Sequence, residues 1–295
     1  MANGQAHTSS TVISQTIEPM ASKLGALEIR RYLPSLKRKM VGPFIFMDQA
    51  GPVEVPTTSG GVPEHPHAGL STFSYLMAGS VRHADSAGNV ATIQQGDVAL
   101  MSSGSGITHE EMPPKVDDPS PTTTLEFAQM WLALPDEVEE SDPSFQHATA
   151  DEVPKIALPG GNITLTIGSG WGTTAPIRTP TDTVFAEVTV NPDGAVQIEA
   201  SWDERALLLL EGDATVNDHR IQTHDLPILE TGKDVTLRSS GGARLLLFGG
   251  ERFATDRYIG GNFVASSPEK IRHWMSEYQL GKFPSIDPAH LHANS

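Results

Sequence analysis

Four side chains that can bind a metal ion occur in the sequence as two pairs with the same spacing. The first pair is His65 and His67, and the second pair is His109 and Glu111. Residues two apart in a β-strand point to the same face, so each pair would present two donors to one point. A single histidine is more often a surface or satisfied core residue, but two equally spaced pairs favour a shared ion. The sequence therefore predicts a metal site with these four ligands.

The stretch between the two pairs has the pattern of a small antiparallel β unit. Residues 72–77 and 98–101 are apolar and rich in strand-forming side chains. Residues 85–89 and 96–97 carry Asp, Asn and Gly, which are typical of tight turns. We expect the first and last strands of this unit to carry the predicted ligands.

Other possible donors lie outside this register. Two acidic residues beside the ligand pairs are out of phase with them, and we expect these residues to contact solvent or the neighbours of the ligands. Two histidines lie in predicted loops, and two more lie in a terminal tail with no second pair. These six residues are Glu64, Glu110, His219, His224, His290 and His292.

Length, charge and cysteine content limit the possible functions. The chain has 295 residues, a formal net charge of −16 and no cysteine. This length favours two domains, and the negative charge disfavours direct binding of nucleic acid, which depends on Lys and Arg contacts to phosphates. The absence of cysteine excludes disulfides, thiolate metal sites and thiol catalysis. Without a signal-peptide pattern or a membrane-length apolar run, we expect a soluble, cytoplasmic monomer that does not associate with membranes.

Composition divides the chain into four predicted segments. The Ser- and Thr-rich residues 1–20 predict a flexible tail. Residues 21–140 form the predicted first domain, which contains the metal site. Residues 141–180 are a predicted linker or lid, because the chain over 136–151 is acidic and interrupted by proline. Residues 181–295 form a second β-rich domain without metal ligands, followed by a helix and a tail.

Three apolar runs in the first domain predict further strands. They cover residues 27–32, 42–48 and 124–134, and the second of them is bounded by Gly and Pro. The Gly- and Pro-rich residues 49–63 predict a loop that leads to the first histidine pair.

An internal similarity suggests that the two domains arose by duplication. Residues 75–85 align with residues 208–218, and both read as a buried strand, a Gly turn and a second strand. On this register the first histidine pair corresponds to Ile198 and Ala200, and the second pair falls near residues 242–244. The second copy is therefore predicted to keep the architecture and lack the ligands.

A helix is predicted near the C-terminus. Ser267 and Pro268 provide an N-cap followed by proline at the first helical position, and Gly281 stops the helix. Four large apolar residues fall on one face and predict packing against the rest of the fold: Ile271, Trp274, Met275 and Tyr278.

These motifs together closely resemble the pirin family of bicupins. The resemblance covers nearly the whole chain from about residue 25. It is carried by the two ligand motifs and by flanking segments, namely residues 65–69, 104–113, 85–89, 96–98, 41–44, 129–131, 260–264 and the helix up to 281–283. The chain departs from many relatives at Gln49, where they carry histidine, and at Ser105, where they carry arginine. We expect these departures to change the pocket mouth and to leave metal binding intact.

The resemblance implies an all-β fold of two cupin-type (jelly-roll) antiparallel β-barrels face to face, with a short C-terminal helix. It also implies one non-haem iron in the first barrel only, held by His65, His67, His109 and Glu111. Some members of the family cleave the flavonol quercetin with dioxygen, and others act as interaction partners or transcriptional co-regulators.

The donor set itself suggests a chemistry. Three neutral imidazoles and one carboxylate leave two open positions on a six-coordinate divalent ion, which a flavonol or dioxygen could occupy. Glu111 is the candidate catalytic residue, because it could accept the proton of a coordinated hydroxyl. The leading hypothesis is a ring-opening dioxygenase that acts on quercetin or a similar enolic aromatic.

Two alternatives remain at this point. One is a redox-sensitive regulatory protein whose iron alters a surface that a protein partner reads, for example the loop 136–151. The other is a fold that holds metal without turnover. The resemblance implies iron (Fe II/III), and the ligand set suits Mn, Ni, Cu or Zn as well.

Overall fold

The computed structural model describes residues 12–24, 27–57, 61–114 and 122–289. Strands account for most of this part of the chain, with a short α-helix near the C-terminus. The expected all-β class is therefore confirmed.

The first twelve strands lie between residues 13 and 148. Their bounds are β1 Ile13–Ile17, β2 Met20–Leu24, β3 Leu27–Leu33, β4 Phe44–Pro56, β5 Val62–His67, β6 Leu70–Ala78, β7 Ser80–Asp85, β8 Val90–Gln94, β9 Val98–Ser102, β10 Ile107–Met112, β11 Thr122–Ala133 and β12 Ser144–Ala148.

The second half repeats this construction and ends in the helix. Its elements are β13 Lys155–Leu158, β14 Gly161–Ile167, β15 Ser169–Gly170, β16 Thr173–Thr174, β17 Thr183–Val190, β18 Ala195–Ile198, β19 Glu204–Gly212, β20 Ala214–Val216, β21 His219–Ile221, β22 Leu226–Leu229, β23 Val235–Arg238, β24 Ala243–Gly250, β25 Tyr258–Gly260, β26 Phe263–Ala265 and α1 Pro268–Gln279.

Each half consists of a seven-stranded and a four-stranded antiparallel sheet. In the first half the strand orders are β12-β9-β6-β11-β4-β3-β2 and β5-β10-β7-β8. In the second half they are β1-β22-β19-β24-β17-β14-β13 and β18-β23-β20-β21. The large and small sheets of the two halves thus match strand for strand, which supports the predicted duplication. The pairs β15-β16 and β25-β26 form two further small sheets outside this match. Among the described residues, the strands of each half are divided between these facing sheets and do not form one closed barrel.

The strand pairing corrects the predicted alignment of the ligand positions. In the first half β5 pairs with β10 so that His65 lies opposite His109. When the pair His67–Ile107 is matched with the pair Ile198–Val235 of β18 and β23, Val196 and Leu237 take the positions of His65 and His109. The second histidine of the first pair corresponds to Ile198. The alignment through 200 and 242–244 was wrong because the loop between β18 and β19 is longer than the one between β5 and β6.

The two large sheets pack face to face and share one apolar core. Phe73 of β6 contacts Phe185 of β17 at a ring separation of 4.9 Å, and Phe44 contacts Phe248 at 5.1 Å. Such aromatic contacts bury large apolar areas and fix the relative position of the halves. The Tyr75 hydroxyl also crosses this interface.

Two predicted irregular segments contain regular structure. Residues 13–17 of the expected tail form β1, which pairs with β22 at the edge of the second large sheet, and Ile17 is buried in the shared core. The flexible-tail prediction was therefore wrong there, because backbone pairing and the buried side chains of Val12 and Ile17 order this stretch. Residues 1–11 lie outside the described part. The expected loop 49–63 is largely strand, since β4 continues to Pro56 and β5 begins at Val62.

The predicted linker 141–180 contributes strands to both halves. Its strand β12 forms an edge of the first large sheet by pairing with β9. Its strands β13 and β14 belong to the second large sheet. These strands carry no acidic residue, so the acidic run within residues 136–151 was a poor guide to the structure of this segment.

The C-terminal helix begins as predicted. The Ser267 side chain accepts a hydrogen bond from the Lys270 backbone, and proline follows the cap. Ile271 and Trp274 are buried, whereas Met275 and Tyr278 remain exposed, so only part of the predicted stripe packs. No helix in the described part of the chain combines the length and apolar character that crossing a bilayer requires.

Candidate metal centre

Three of the four predicted ligands come together on adjacent strands. His65 and His67 on β5 and His109 on β10 have candidate ligand nitrogens that all lie within 4.8 Å of one another. The antiparallel register explains this cluster, because the residue opposite His109 is His65 and the residue two further along is His67. The alternation of strand side chains, read from the sequence, thus predicted the position of all three imidazoles correctly.

The other ring nitrogen of each histidine is held by a neighbour. The Nδ1 atom of His65 lies 2.8 Å from the Pro63 carbonyl oxygen, and that of His67 lies 2.9 Å from the Asn262 carbonyl oxygen. These contacts require an N–H at Nδ1 and leave Nε2 as the free lone pair. The buried Nε2 atom of His109 has no hydrogen-bond partner. An unpartnered buried nitrogen beside two free ones fits a divalent ion as the missing partner.

Burial keeps two members of the cluster, His67 and His109, in the uncharged form that binds metal. Burial, together with the nearby His65, lowers the pKa of His67 to about 3. Burial also lowers the pKa of His109 well below its usual value, and the neighbouring imidazoles add to this effect. Both side chains are therefore neutral imidazoles near neutral pH, with a lone pair available for coordination.

Glu111, the fourth predicted ligand, lies outside the group of three histidines. The pairing of β10 with β5 shifts after His109, so that Glu111 lies opposite Val62 rather than continuing the simple register. The extra residue lies on β5, whereas β10 keeps a regular register with β7, in which Glu111 lies opposite His83. The Ser74 hydroxyl donates a hydrogen bond of 3.1 Å to Glu111 Oε1. Glu111 still lines the cavity into which His65 and His67 open.

A second layer behind His109 was not identified from the sequence. His83 on β7 places its Nδ1 atom 3.5 Å from His109 Nδ1, and its Nε2 atom lies 3.1 Å from Asp85 Oδ2. The Phe145 ring of β12 stacks on His83 at 4.5 Å. Asp85 also accepts hydrogen bonds from Asn89. The spacing of His83 and Asp85 on one strand face was a signal for this pair, because it matches the spacing of the predicted ligands.

The hydrogen bonds of Asp85 keep it ionised. Burial alone would raise the pKa of Asp85, but hydrogen bonds from His83 and Asn89 hold the pKa below its usual value. An ionised Asp85 favours the His83 tautomer with its proton on Nε2. That tautomer presents a lone pair from His83 Nδ1 to His109 Nδ1, which directs the lone pair of His109 Nε2 toward the cluster.

The C-terminal segment holds the ligand strands from outside. Besides the Asn262 carbonyl that orients His67, residue 68 forms a parallel bridge with Phe263. Gly69 follows with a positive φ of 72°, and an added Cβ would lie 1.9 Å from the Val264 carbonyl oxygen. Glycine is therefore required at this position.

The two glutamates that are out of phase with the ligands form contacts elsewhere. Glu64 accepts hydrogen bonds from the Thr108 hydroxyl and the Ile286 backbone, each at 3.0 Å, and so ties the C-terminal segment to the ligand strands. Glu110 pairs with Arg82 at 3.2 Å. Neither glutamate belongs to the histidine cluster.

The histidine cluster opens into a cavity of about 440 Å³ between the two sheets of the first half. Its wall includes a stacked pair of rings, Phe46 and Trp131, at 4.3 Å, and Trp131 meets His67 edge-on at 5.2 Å. Most other lining side chains are apolar. Gln49 and Ser105 do not line the cavity, so the expectation that they shape its mouth was wrong.

Two cupin-type halves, of which the first carries a three-histidine candidate metal site, define a bicupin. The Pirin family model matches residues 26–132, and the model for the Pirin C-terminal cupin domain matches residues 185–284. The chain belongs to the pirin family, as its motifs predicted.

Relatives with known names span almost the whole chain. A pirin-like protein of Caulobacter vibrioides is 31% identical over 94% of this chain and 97% of its own length. A putative quercetin 2,3-dioxygenase of Pseudomonas aeruginosa is 32% identical over 92% of this chain and 86% of its own length.

Solved structures share the architecture. A quercetin 2,3-dioxygenase from Acinetobacter baumannii matches with a TM-score of 0.84 and 32% identity, over 92% of this chain and 91% of that chain. The bacterial pirin YhhW from Escherichia coli, in complex with nickel(II), matches with a TM-score of 0.64 over 81% of this chain and 99% of that chain. At 16% identity, the latter match concerns the fold alone.

Proposed function

We propose that this chain is a metal-dependent dioxygenase that opens the ring of quercetin or a similar enolic aromatic. The observation that carries the proposal is the convergence of three imidazole Nε2 atoms at the wall of a largely apolar cavity. The names of the Pseudomonas and Acinetobacter relatives support the substrate class. Iron is the metal that we propose, held by His65, His67 and His109, with Glu111 as the fourth ligand.

The proposed roles of the residues follow from their positions. A bound ferrous ion would supply the redox chemistry with dioxygen and lower the pKa of a coordinated hydroxyl. Once it loosens from the ion, Glu111 would accept the proton of the flavonol 3-hydroxyl at Oε2, while Ser74 holds Oε1 in place. The Phe46 and Trp131 rings orient the planar substrate, and the apolar walls exclude water.

Oxygen uptake tests this function. Iron-loaded protein mixed with quercetin should consume dioxygen, and the Glu111→Ala variant should consume at least about 100-fold less, in the range expected for loss of a general base. Metal analysis of both proteins shows whether the variant has also lost iron. Wild-type protein that consumes no more dioxygen than the variant with any of a panel of flavonols would refute the proposal.

One observation favours a second function, that of a redox-sensitive interaction protein without turnover. The segment 136–151, which would have to sense the metal, contributes Phe145, whose ring stacks on His83 beside His109. A change in iron charge could therefore reach the surface of this segment. Capture of the same protein partners by ferrous, ferric and His65→Ala protein would contradict this function.

A further inference from the structure

Four polar residues form a continuous row across the floor of the cavity. The strand ladders place Ser74, Gln129, Asp48 and Arg31 directly opposite one another on β6, β11, β4 and β3. All four line the cavity. Ser74 contacts Gln129 at 2.7 Å and also bonds to Glu111, so the row begins beside the histidine cluster. Three strand spacings of about 4.8 Å put its far end roughly 14 Å away.

The second half of the molecule shows that the fold does not require this row. The same four positions there, read from the ladders of β19, β24, β17 and β14, are Leu207, Leu247, Ala186 and Leu165. All four are fully buried in the apolar interior of that half. The duplicated architecture therefore accepts aliphatic side chains at these four positions. Polar residues at the same positions in the first half call for a functional reason.

The far end of the row is an ion pair that faces the cavity. Arg31 Nε and Nη2 donate to the two oxygens of Asp48 at 2.8 and 2.7 Å. The side chains retain 34% and 12% of their exposure, respectively. Arg31 also lies 4.5 Å above the Phe46 ring, which fixes the guanidinium. Three N–H groups of the guanidinium and a second lone pair on each Asp48 oxygen have no partner among the described residues.

The chemistry of this pair selects a particular kind of group. The two charges cancel, so the pair does not attract a carboxylate or an ammonium group strongly. It offers a donor and an acceptor side by side. A hydroxyl on an aromatic ring can donate a hydrogen bond to Asp48 and accept one from Arg31. Two adjacent hydroxyls can form more of these hydrogen bonds than one. An analogue without hydroxyls would leave these partly buried groups without water or partner, which costs affinity.

We propose that the Arg31–Asp48 pair determines specificity in this cavity by binding ring hydroxyls at the end of the ligand remote from the histidine cluster. This inference rests on the proposed function, since it assumes that the reacting end of the ligand lies beside the histidines. It assigns to the remote end a vicinal dihydroxyphenyl group, with the intervening ring system lying over Gln129 between the aromatic and aliphatic walls.

Binding of a matched series of flavonols tests the proposal. Quercetin, kaempferol and galangin share the same reacting head and carry two, one and no hydroxyls on the pendant ring. Iron-loaded protein, kept free of oxygen so that no turnover occurs, should bind quercetin about 10-fold more tightly than galangin, with kaempferol between them. The double variant Arg31→Leu/Asp48→Ala, which carries the residues of the second half, should bind all three within about twofold of its galangin affinity.

The neighbouring residue provides a matched control. Arg30 lies on the opposite face of β3 and donates to Gln49, so Arg30→Leu removes an arginine without touching the cavity and should keep the wild-type order of affinities. Equal affinity of wild-type protein for all three flavonols, or no measurable binding of any, would overturn the proposal, and so would an unchanged order in the double variant. The wild-type series decides even if the double variant fails to fold.

Turnover is measured separately so that the two proposals can fail independently. If the hydroxyl preference is found and no dioxygen is consumed, the dioxygenase function fails and the specificity role stands. If dioxygen is consumed equally with all three flavonols at limiting concentration, the function stands and the specificity role fails.

Discussion

The two halves of this chain share one strand order and differ in what fills the space between their sheets. In the second half, apolar side chains from both sheets meet in a dense cluster that includes Val196, Ile198 and Leu237. In the first half, imidazoles occupy the matching positions, and a cavity of about 440 Å³ remains beside them. The comparison separates what the fold needs from what function adds, because the second half keeps the same strand order with apolar side chains at the positions matched here.

The difference also has an energetic side. A filled aliphatic interior contributes about 25 cal/mol for each Å² of apolar surface removed from water. An interior with neutral imidazoles, a carboxylate and an open cavity gives up part of that stabilisation. The shared core between the large sheets compensates, since residues such as Phe73 and Phe185 join the first half to the more completely packed second half. The second half thus contributes to the stability of the first half, which carries the histidine cluster.

The largest predicted effect tests whether metal binding belongs to the first half alone. His65→Ala removes one of three converging nitrogens and should weaken metal binding by at least about 100-fold, more than the loss of an outer partner. Elemental analysis after dialysis measures the bound metal. His219→Ala, a histidine on β21 of the second half, is the matched control and should retain the wild-type content. A metal content that depends on His219 would break the comparison.

The reverse substitution tests whether a histidine alone makes a site. Ile198→His places an imidazole at the second-half position that matches His67, in a closed apolar interior without a hydrogen-bond partner. Burial of an unpaired polar group and the change of shape should destabilise the protein by about 2–4 kcal/mol. Urea unfolding gives the free energy, and elemental analysis should find no additional metal. A stable variant that gains metal would show that the second interior is preorganised after all.

The sequence predicted those parts of the site that depend on local periodicity. The H-x-H spacing located His65 and His67 on one strand face, and His109 followed from the same rule. Glu111 shares the β10 face of His109 and lines the same cavity but lies outside the group of three histidines, and no local signal reports the extra β5 residue that shifts the pairing after His109. The class of fold and the duplication were also predictable, since they rest on repeated patterns of strand and turn residues.

The parts that sequence reasoning missed depend on long-range contacts. Nothing in the polar stretch around Ile17 shows that it completes a sheet of the other half, because the partner strand β22 lies more than 200 residues away. Phe145 lies in an acidic segment, and only the pairing of β12 with β9 brings it to His83. His67 contacts the backbone carbonyl oxygen of Asn262. Because every residue type has such a carbonyl, the identity of residue 262 could not reveal this contact.

A smaller effect concerns the layer that orients His109. Asp85→Asn should weaken metal binding by about 10–100-fold, because an amide can donate to His83 Nε2 and so reverse the tautomers of His83 and His109. Competition with a chelator of known affinity measures the change. The first half contains a matched control in Asp97, which pairs with His147 at the same distance of 3.1 Å but does not reach the cluster.

Asp97→Asn should therefore leave the metal affinity unchanged, although it changes the same kind of carboxylate–histidine contact. Equal losses of affinity in the two variants would show that the Asp85 effect is only a general loosening of the first half. The pair of variants thus separates orientation of a ligand from stability of the sheet that carries it.

The smallest predicted effect concerns the interface between the halves, where Tyr75 and Leu208 hold matching positions in the shared core. The Tyr75 hydroxyl donates a hydrogen bond of 2.9 Å to Glu187 Oε2 across the interface. Tyr75→Phe should reduce the free energy of unfolding by about 1 kcal/mol at neutral pH. Tyr278→Phe, the same change on the exposed face of α1, should cost almost nothing, as measured by urea unfolding.

The pH dependence of the Tyr75→Phe effect has a definite sign. Burial raises the pKa of Glu187, and the bond from Tyr75 partly opposes this rise, so the variant should have a still higher Glu187 pKa. A carboxyl with a raised pKa in the folded state stabilises the fold below its unfolded pKa and loses that contribution as pH rises. The deficit of Tyr75→Phe should therefore grow from pH 5 to pH 8. A deficit that shrinks over this range would mean that Glu187 gains another partner once the tyrosine hydroxyl is gone.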